Sequence, residues 1–254
     1  MRRLLASVVL CAALAVGAAA SAQTAPGVVV VQVSGPIDAV VERYLVGELE
    51  RAEDAGAALA IQIDSPGTLD GEPVALAERI HDATVPVLVW VGPTPAGAAG
   101  AALLLAQASS IAGVAPGAAV GPLLPLDVAR PDRIPADLDG TLAAWAADRG
   151  RAAPTAPSAP LAAQAAIDAG LVQVAAPSIT DFLAAVDGRT VGTAAGDVVL
   201  RTRVAVREGE SPVDLRFTSL GPWERILHAC ATPSTIYLLL VVGFAAVAFE
   251  VTQP

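Results

Sequence analysis

Two turns in this sequence are built to aim backbone at a ligand. One is Asp64-Ser65-Pro66-Gly67, which ends the strand-like run Ile61-Gln62-Ile63. The other follows the strand-like run Val85 to Val91. It comprises a Gly/Pro turn from Gly92 to Gly97, a small-residue run from Ala96 to Ala102, and the apolar helix-like run Leu103 to Ala108. A strand, a glycine turn and a helix start leave backbone N–H groups unpaired, and such groups hold a carbonyl or a carboxylate. The order predicts that the two turns face each other across one groove, with Gly100 at a helix N-terminus, close to the Gly67 turn and open to the groove. Side chains that add chemistry are scarce. No serine lies between Pro66 and Ala108, and all 15 basic residues are arginine, with no lysine. Ser65 reads as a loop cap acting through its hydroxyl, and Ser109 and Ser110 as turn residues. The only histidines are His81 and His228. His81, on a helix beside Asp82, reads as a surface residue. No set of Cys, His and carboxylates has metal spacing, so no metal and no cofactor are expected.

The elements that must position these turns alternate between strand and helix patterns. Gly27 to Gly35 is a valine-rich run of the kind found in sheets covered on both faces. Ala39 to Ala55 is amphipathic, with Val41, Leu45 and Leu49 on one side and Glu42, Arg43 and Glu50 on the other. Ala58 to Ile63 reads as a strand, Gly71 to Ala83 as a helix, and Ile111 to Val114 as a short strand ending at Ala115-Pro116-Gly117. This alternation predicts an α/β domain with a mostly parallel sheet. A loop rich in proline and aspartate follows, Pro122 to Asp139, then a helix from Gly140 to Arg149. Further helices are read at Leu161 to Ala169 and Ser178 to Val186, and a short strand at Leu171 to Ala175. Asp187-Gly188 is a turn. Thr190 to Val206 suits two or three antiparallel strands around Ala195-Gly196-Asp197.

Both ends carry membrane signals. Arg2 and Arg3, the apolar run Leu4 to Val16, and Ala20-Ser21-Ala22 have the layout of a signal peptide over residues 1–22, an uncleaved anchor being the competing reading. Ile236 to Phe249 is an uninterrupted apolar run. Residues 231–251 are long enough for a transmembrane helix, with a buried core helix as the alternative. Cleavage leaves Cys230 alone, so no intrachain disulfide is expected, and Cys230 reads as a small packed hydrophobe. The formal net charge of −10 argues against nucleic acid as the partner.

The segment order and several motifs resemble the long-form NfeD family of membrane-bound ClpP-class serine proteases. Asp64-Ser65-Pro66-Gly67 resembles the family's D-T-P-G-G. Ala115-Pro116-Gly117-Ala118-Ala119-Val120-Gly121 resembles its A-P-G-T-x-I-G. Asp187-Gly188-Arg189-Thr190-Val191 and the acidic end Phe249-Glu250 are also similar. The resemblance implies a ClpP/crotonase-like domain over 27–186, a small β extension and juxtamembrane segment over 187–222, and a membrane helix. The family's multi-helix membrane region and small β-barrel have no counterpart here, so the sequence reads as a truncated form or a fragment. The main domain would be exported and anchored at the outer face of the cell membrane. Its implied partners are a peptide or a membrane protein of stomatin or flotillin type, and a homodimer is allowed.

The family's chemistry is a serine–lysine dyad, in which a neutral lysine takes the serine proton and backbone N–H groups hold the oxyanion. By the resemblance, the nucleophile position falls on Gly100 and the base position on Arg133, with Arg130 the nearest substitute. The second glycine of the oxyanion turn is Thr68, and the oxyanion and peptide-binding set is Gly67, Thr68, Gly100 and Ala101. Guanidinium does not deprotonate in proteins, so neither arginine can act as the base. The expectation is therefore a catalytically degenerate domain that binds a peptide or partner without cutting it. The alternative is an active membrane-bound serine endopeptidase acting on hydrophobic segments of stomatin- or flotillin-like proteins. A crotonase-like acyl-CoA enzyme is the fold-level alternative, and export argues against it because CoA is a cytoplasmic cofactor.

Overall fold

A computed structural model describes residues 23–24, 27–203, 214–219, 221–231 and 233–252. The signal-peptide reading of residues 1–22 lies outside them, as does the side chain of Cys230. The first part of the described chain runs β1 (Gln23–Thr24), β2 (Gly27–Ser34), β3 (Ile37–Asp38), α1 (Ala39–Ala55), β4 (Ala58–Asp64), β5 (Thr68–Asp70) and α2 (Pro73–His81). It continues through β6 (Val87–Val91), β7 (Gly97–Ala98), α3 (Ala101–Ala108), β8 (Ile111–Val114), β9 (Ala119–Val120) and α4 (Leu138–Asp148). The remainder is β10 (Leu161–Ala162), α5 (Ala163–Asp168), β11 (Val174–Ala175), α6 (Ile179–Val186), β12 (Thr190–Thr193), β13 (Gly196–Val199), β14 (Asp214–Thr218), α7 (Pro222–Ala231) and α8 (Pro233–Thr252).

The continuous apolar strands assemble the centre. β11, β8, β6, β4, β2 and β14 lie side by side in that order. Every pairing among them is parallel. β6 is buried at all of its positions, as a strand covered on both faces must be. Local signals set the helix ends. Asp38 caps α1, its Oδ1 accepting from the N–H groups of Val40 and Val41 at 2.9 Å each. Gly56, at φ 63°, ends that helix in the left-handed conformation. α3 is buried at every residue and runs through the core. The architecture is thus α/β with a parallel central sheet, and that sheet presents the ends of β4 and β6 to the candidate site.

The span 187–222, read as a small β extension and a juxtamembrane segment, is shared between two sheets. β12 and β13 make an antiparallel hairpin joined by β1, whereas β14 becomes an edge strand of the central sheet, its register running from Asp214 opposite Gly27 to Thr218 opposite Val31. α7 is tied to the domain by His228, whose Nδ1 lies 2.8 Å from Asp38 Oδ2, the second oxygen of the carboxylate that caps α1. The transmembrane reading of 231–251 also needs restating. Among the described residues, no helix is long and apolar enough to cross a membrane. α8 spans 20 residues, but the side chains of residues 233, 234 and 236, in its first turn, lie outside the description.

Candidate functional site

Backbone bonds and one side chain join the two glycine turns. Where β4 ends, Asp64 Oδ1 accepts from Gly97 N at 2.9 Å. Ser65 N then donates to Gly97 O at 2.8 Å, and Ala99 N donates to Ser65 O at 3.1 Å, which pairs Ser65 with Ala98 as a short parallel bridge. The Ser65 hydroxyl stays within its own turn, accepting from Gly67 N at 3.2 Å and donating to Gly67 O at 3.3 Å. Gly67 O in turn accepts from Ile37 N, and Thr68 Oγ1 donates to Ile37 O, both at 2.9 Å. Gly67 and Gly100 therefore meet at van der Waals distance. A Cβ added to Gly67 would lie 3.7 Å from Gly100 Cα and 3.8 Å from Ala101 N.

Gly100 is the N-cap of α3, with φ 53° and ψ −123° and no side-chain cap. A strained strand-to-helix turn of this kind is what carries the nucleophile in hydrolases built on an elbow. Glycine adopts it without the Cβ penalty that another residue would meet. Space is closed as well. A Cβ at Gly100 would stand 2.5 Å from Pro125 O and 3.3 Å from Leu126 O. The sequence expectation that Gly100 opens onto the groove is corrected here: Gly100 is buried beneath the backbone of residues 125–126. Ala101 and Thr68 are buried with it.

The arginines carried over as base positions are directed elsewhere. Arg133 forms a bidentate pair with Glu72, at 2.8 and 2.7 Å, on the surface. Arg130 donates to Asp127 at 2.7 Å, to Asp70 at 3.0 Å and to Gly71 O at 3.0 Å. The structure thus brings Gly67, Thr68, Gly100 and Ala101 together, and it commits Arg133 to a carboxylate outside that cluster. Sequence reasoning missed Asp127. Its carboxylate is almost fully buried beside the junction and accepts from the backbone N–H groups of Ala129 and Arg130. An aspartate in a proline-rich loop reads as an ordinary turn residue, so only the tertiary packing shows it.

The other serines are committed too. Ser109 donates to Ala106 O at 2.7 Å, and Ser110 accepts from Val87 N at 3.4 Å. Both are buried. His81 is not the surface residue its position suggests. Its ring stacks on Trp145 with centroids 5.3 Å apart, and Nε2 lies 3.3 Å from Asp148. Burial, then the nearby Arg149 charge, pushes the imidazole below its ordinary pKa. Arg151 is buried more deeply. It donates to Gln107 O at 2.8 Å and Ser109 O at 3.2 Å, and burial lowers it to about 10. Among the described residues, no group of three or more His, Cys, Asp or Glu is placed to hold a metal.

No protein-family model matches the chain. A membrane-bound protease of Pyrococcus horikoshii is 24% identical over an alignment of 250 residues, covering 89% of this chain and 53% of that protein. The chain thus spans about half the length of the curated relative it matches. A solved membrane protease specific for a stomatin homologue, also from Pyrococcus horikoshii, superposes with a TM-score of 0.65 at 22% identity, covering 81% of this chain and 98% of that one. The chain has the ClpP-like protease fold. A lysine-to-alanine variant of a membrane-bound stomatin-specific protease, solved with a substrate peptide, gives a TM-score of 0.65 at 23% identity over 80% of this chain and 96% of that one. These likenesses agree with the NfeD-type resemblance drawn from the motifs.

Proposed function

We propose that this chain is an exported, membrane-tethered ClpP-like domain that binds an extended peptide from a stomatin- or flotillin-like membrane protein and does not cleave it. One observation carries the reading. The strained turn at the head of α3 keeps an elbow conformation, with φ 53° and ψ −123° at Gly100, yet supplies no hydroxyl. Backbone closes the space where a serine side chain would start. No lysine exists to act as base. Ser65, Ser109 and Ser110 are each buried and bonded to backbone. A hydroxyl without a base is a poor nucleophile, and general-base help contributes typically 10²–10⁴-fold. The partner assignment follows the similar protease, which acts on a stomatin homologue.

α8 supports the tether. Tyr237, Leu238, Leu239, Val241, Phe244, Val247 and Phe249 are all more than half exposed. Exposed apolar residues gathered on one helix mark a surface for a membrane or a protein partner.

The test has two arms. A serine-directed fluorophosphonate probe should leave the purified protein unlabelled. Detergent-solubilised membranes should yield a stomatin- or flotillin-type protein in a pull-down. Labelling that disappears on replacing one of Ser65, Ser109 or Ser110 by alanine would overturn the non-cleaving reading and name the nucleophile. For the tether, the chain should be cut after Ala231 and not after Trp223, because α7 is fastened to the domain through His228 and Asp38. The product should be soluble. A product that stays with membranes would place the anchor elsewhere.

A further inference from the structure

The junction of Gly67 and Gly100 is already filled, and what fills it is this chain. We propose that Pro122–Asp127 is a resident occupant of the peptide site, and that the ligand is an extended apolar peptide which must displace it. The proposal rests on the peptide-binding function inferred for the junction. It adds what the ligand resembles and how access is controlled.

The segment binds as a strand-like ligand would. Val128 N donates to Thr68 O at 2.8 Å, Thr68 N donates to Leu126 O at 3.4 Å, and Thr68 pairs with Asp127 as a parallel bridge. Addition of an extended peptide along exposed backbone is a common recognition mode, in which main-chain bonds give affinity and alternate side chains give specificity. Gly100 N, at the head of α3, donates to Pro122 O at 2.8 Å. Pro125 O and Leu126 O lie over Gly100 Cα, so close that any Cβ there would strike them. The N–H groups of Gly100 and Thr68, which would hold a bound carbonyl, are thus both taken by carbonyls of this segment.

Its leucines differ in burial. Leu123 and Leu126 are each 2% exposed, while Leu124 is 41% exposed. A matching ligand would carry leucine-sized apolar groups three positions apart. It would also tolerate proline, since Pro122 and Pro125 use only their carbonyls here. An open cavity of about 310 Å³ flanks the segment, lined by the apolar Val74, Leu126, Ile134 and Pro135 and by the charged Glu72 and Arg133.

One residue fastens the far end. Arg130 reaches back to the Asp127 carboxylate and across to Asp70 and Gly71 O, just beyond β5. Removing that clasp should raise the fraction of molecules with the site vacant, and apparent affinity rises with that fraction.

The probe is a fluorescein-labelled synthetic peptide with the sequence of residues 121–130, titrated into full-length protein in detergent. Arg130→Ala should speed amide exchange across 122–130 and tighten peptide binding by roughly fivefold or more. Leu123→Ser with Leu126→Ser, which weakens the occupant without touching Arg130, should do the same and serves if the arginine variant is poorly folded. Faster exchange with unchanged affinity would show that the segment does not compete, and would overturn the proposal. Unchanged exchange in both variants would make the segment a fixed wall and would overturn it equally. Equal binding to all three proteins would sink the displacement step and leave the peptide-binding function standing. Absence of binding even to the loosened variants would remove both.

Discussion

Two of the polar regions among the described residues are held by opposite means. At the Gly67–Gly100 junction backbone bonds are joined by short side-chain bonds from Asp64, Ser65 and Thr68, and Asp127 beside it is tied up by its own loop. Around His81, Arg149 and Arg151 the bonds run from buried cations to carbonyls. Arg149 donates to His81 O and Gly192 O at 2.6 Å each, and Arg151 to Gln107 O and Ser109 O. Titratable groups pushed off their ordinary pKa values often mark reaction sites. Three of them, His81, Arg149 and Arg151, gather in the second region, while the elbow sits in the first. The second region is better explained as a fastening between the end of α4 and the core.

The largest expected effect comes from putting a side chain into the first region. Gly100→Ser faces a positive φ and a carbonyl at 2.5 Å. Such strain and overpacking should cost about 3 kcal/mol in urea unfolding. A loss under about 1 kcal/mol would mean that Pro122–Asp127 yields easily, which sharpens the contrast between a built-in wall and a resident ligand. The second effect breaks the other region. Arg151→Ala leaves two buried carbonyls without their charged donor and should cost about 2 kcal/mol. If stability were unchanged, the cluster would not be a fastening.

A smaller effect concerns pH. The His81 pKa is lowered in the folded protein, so the unfolded chain binds more protons as pH falls. Stability should be full above the ordinary histidine value of 6.5 and decline as pH drops from there through the lower folded value. Replacing His81 by glutamine should flatten that slope in a thermal-melt series. An unaltered slope would assign the acid sensitivity to another group. The smallest expected effect is none. Gly100→Ser combined with Arg133→Lys should not hydrolyse hydrophobic fluorogenic peptides, because a lysine beside Glu72 is held in its charged form. Turnover by that double variant would show that residue 133 can reach the elbow after all.

Much of the frame could be read from local signals. The helix Ala39–Ala55 has the bounds expected of it because a capping aspartate and a terminating glycine stand at its ends. The hairpin of β12 and β13 follows its turn residues. α3 begins at Ala101, directly after Gly100, where the sequence placed a helix N-terminus, and its alanines lead into the apolar run from Leu103. The pairing of the two glycine turns was also readable, since each ends an apolar strand. What closes over them was not. Leu123, Leu126 and Asp127 lie in a proline-rich loop without periodicity, and only the carbonyls facing Gly100 show its purpose. His81 misled for a related reason: its stacking partner, Trp145, comes from a distant helix.

The pairing of β14 with β2 has a consequence for how the protein is made. β2 is an almost unbroken valine strand, and one of its edges is completed by residues 214–218. During synthesis, at ~5–20 residues per second, β4 and β6 emerge and can pair on the other side long before β14 exists. Throughout that interval an apolar strand edge stands open, an arrangement prone to pair with another chain. The edge is closed only when β14 pairs along it, so the sheet is completed by residues near the end of the domain.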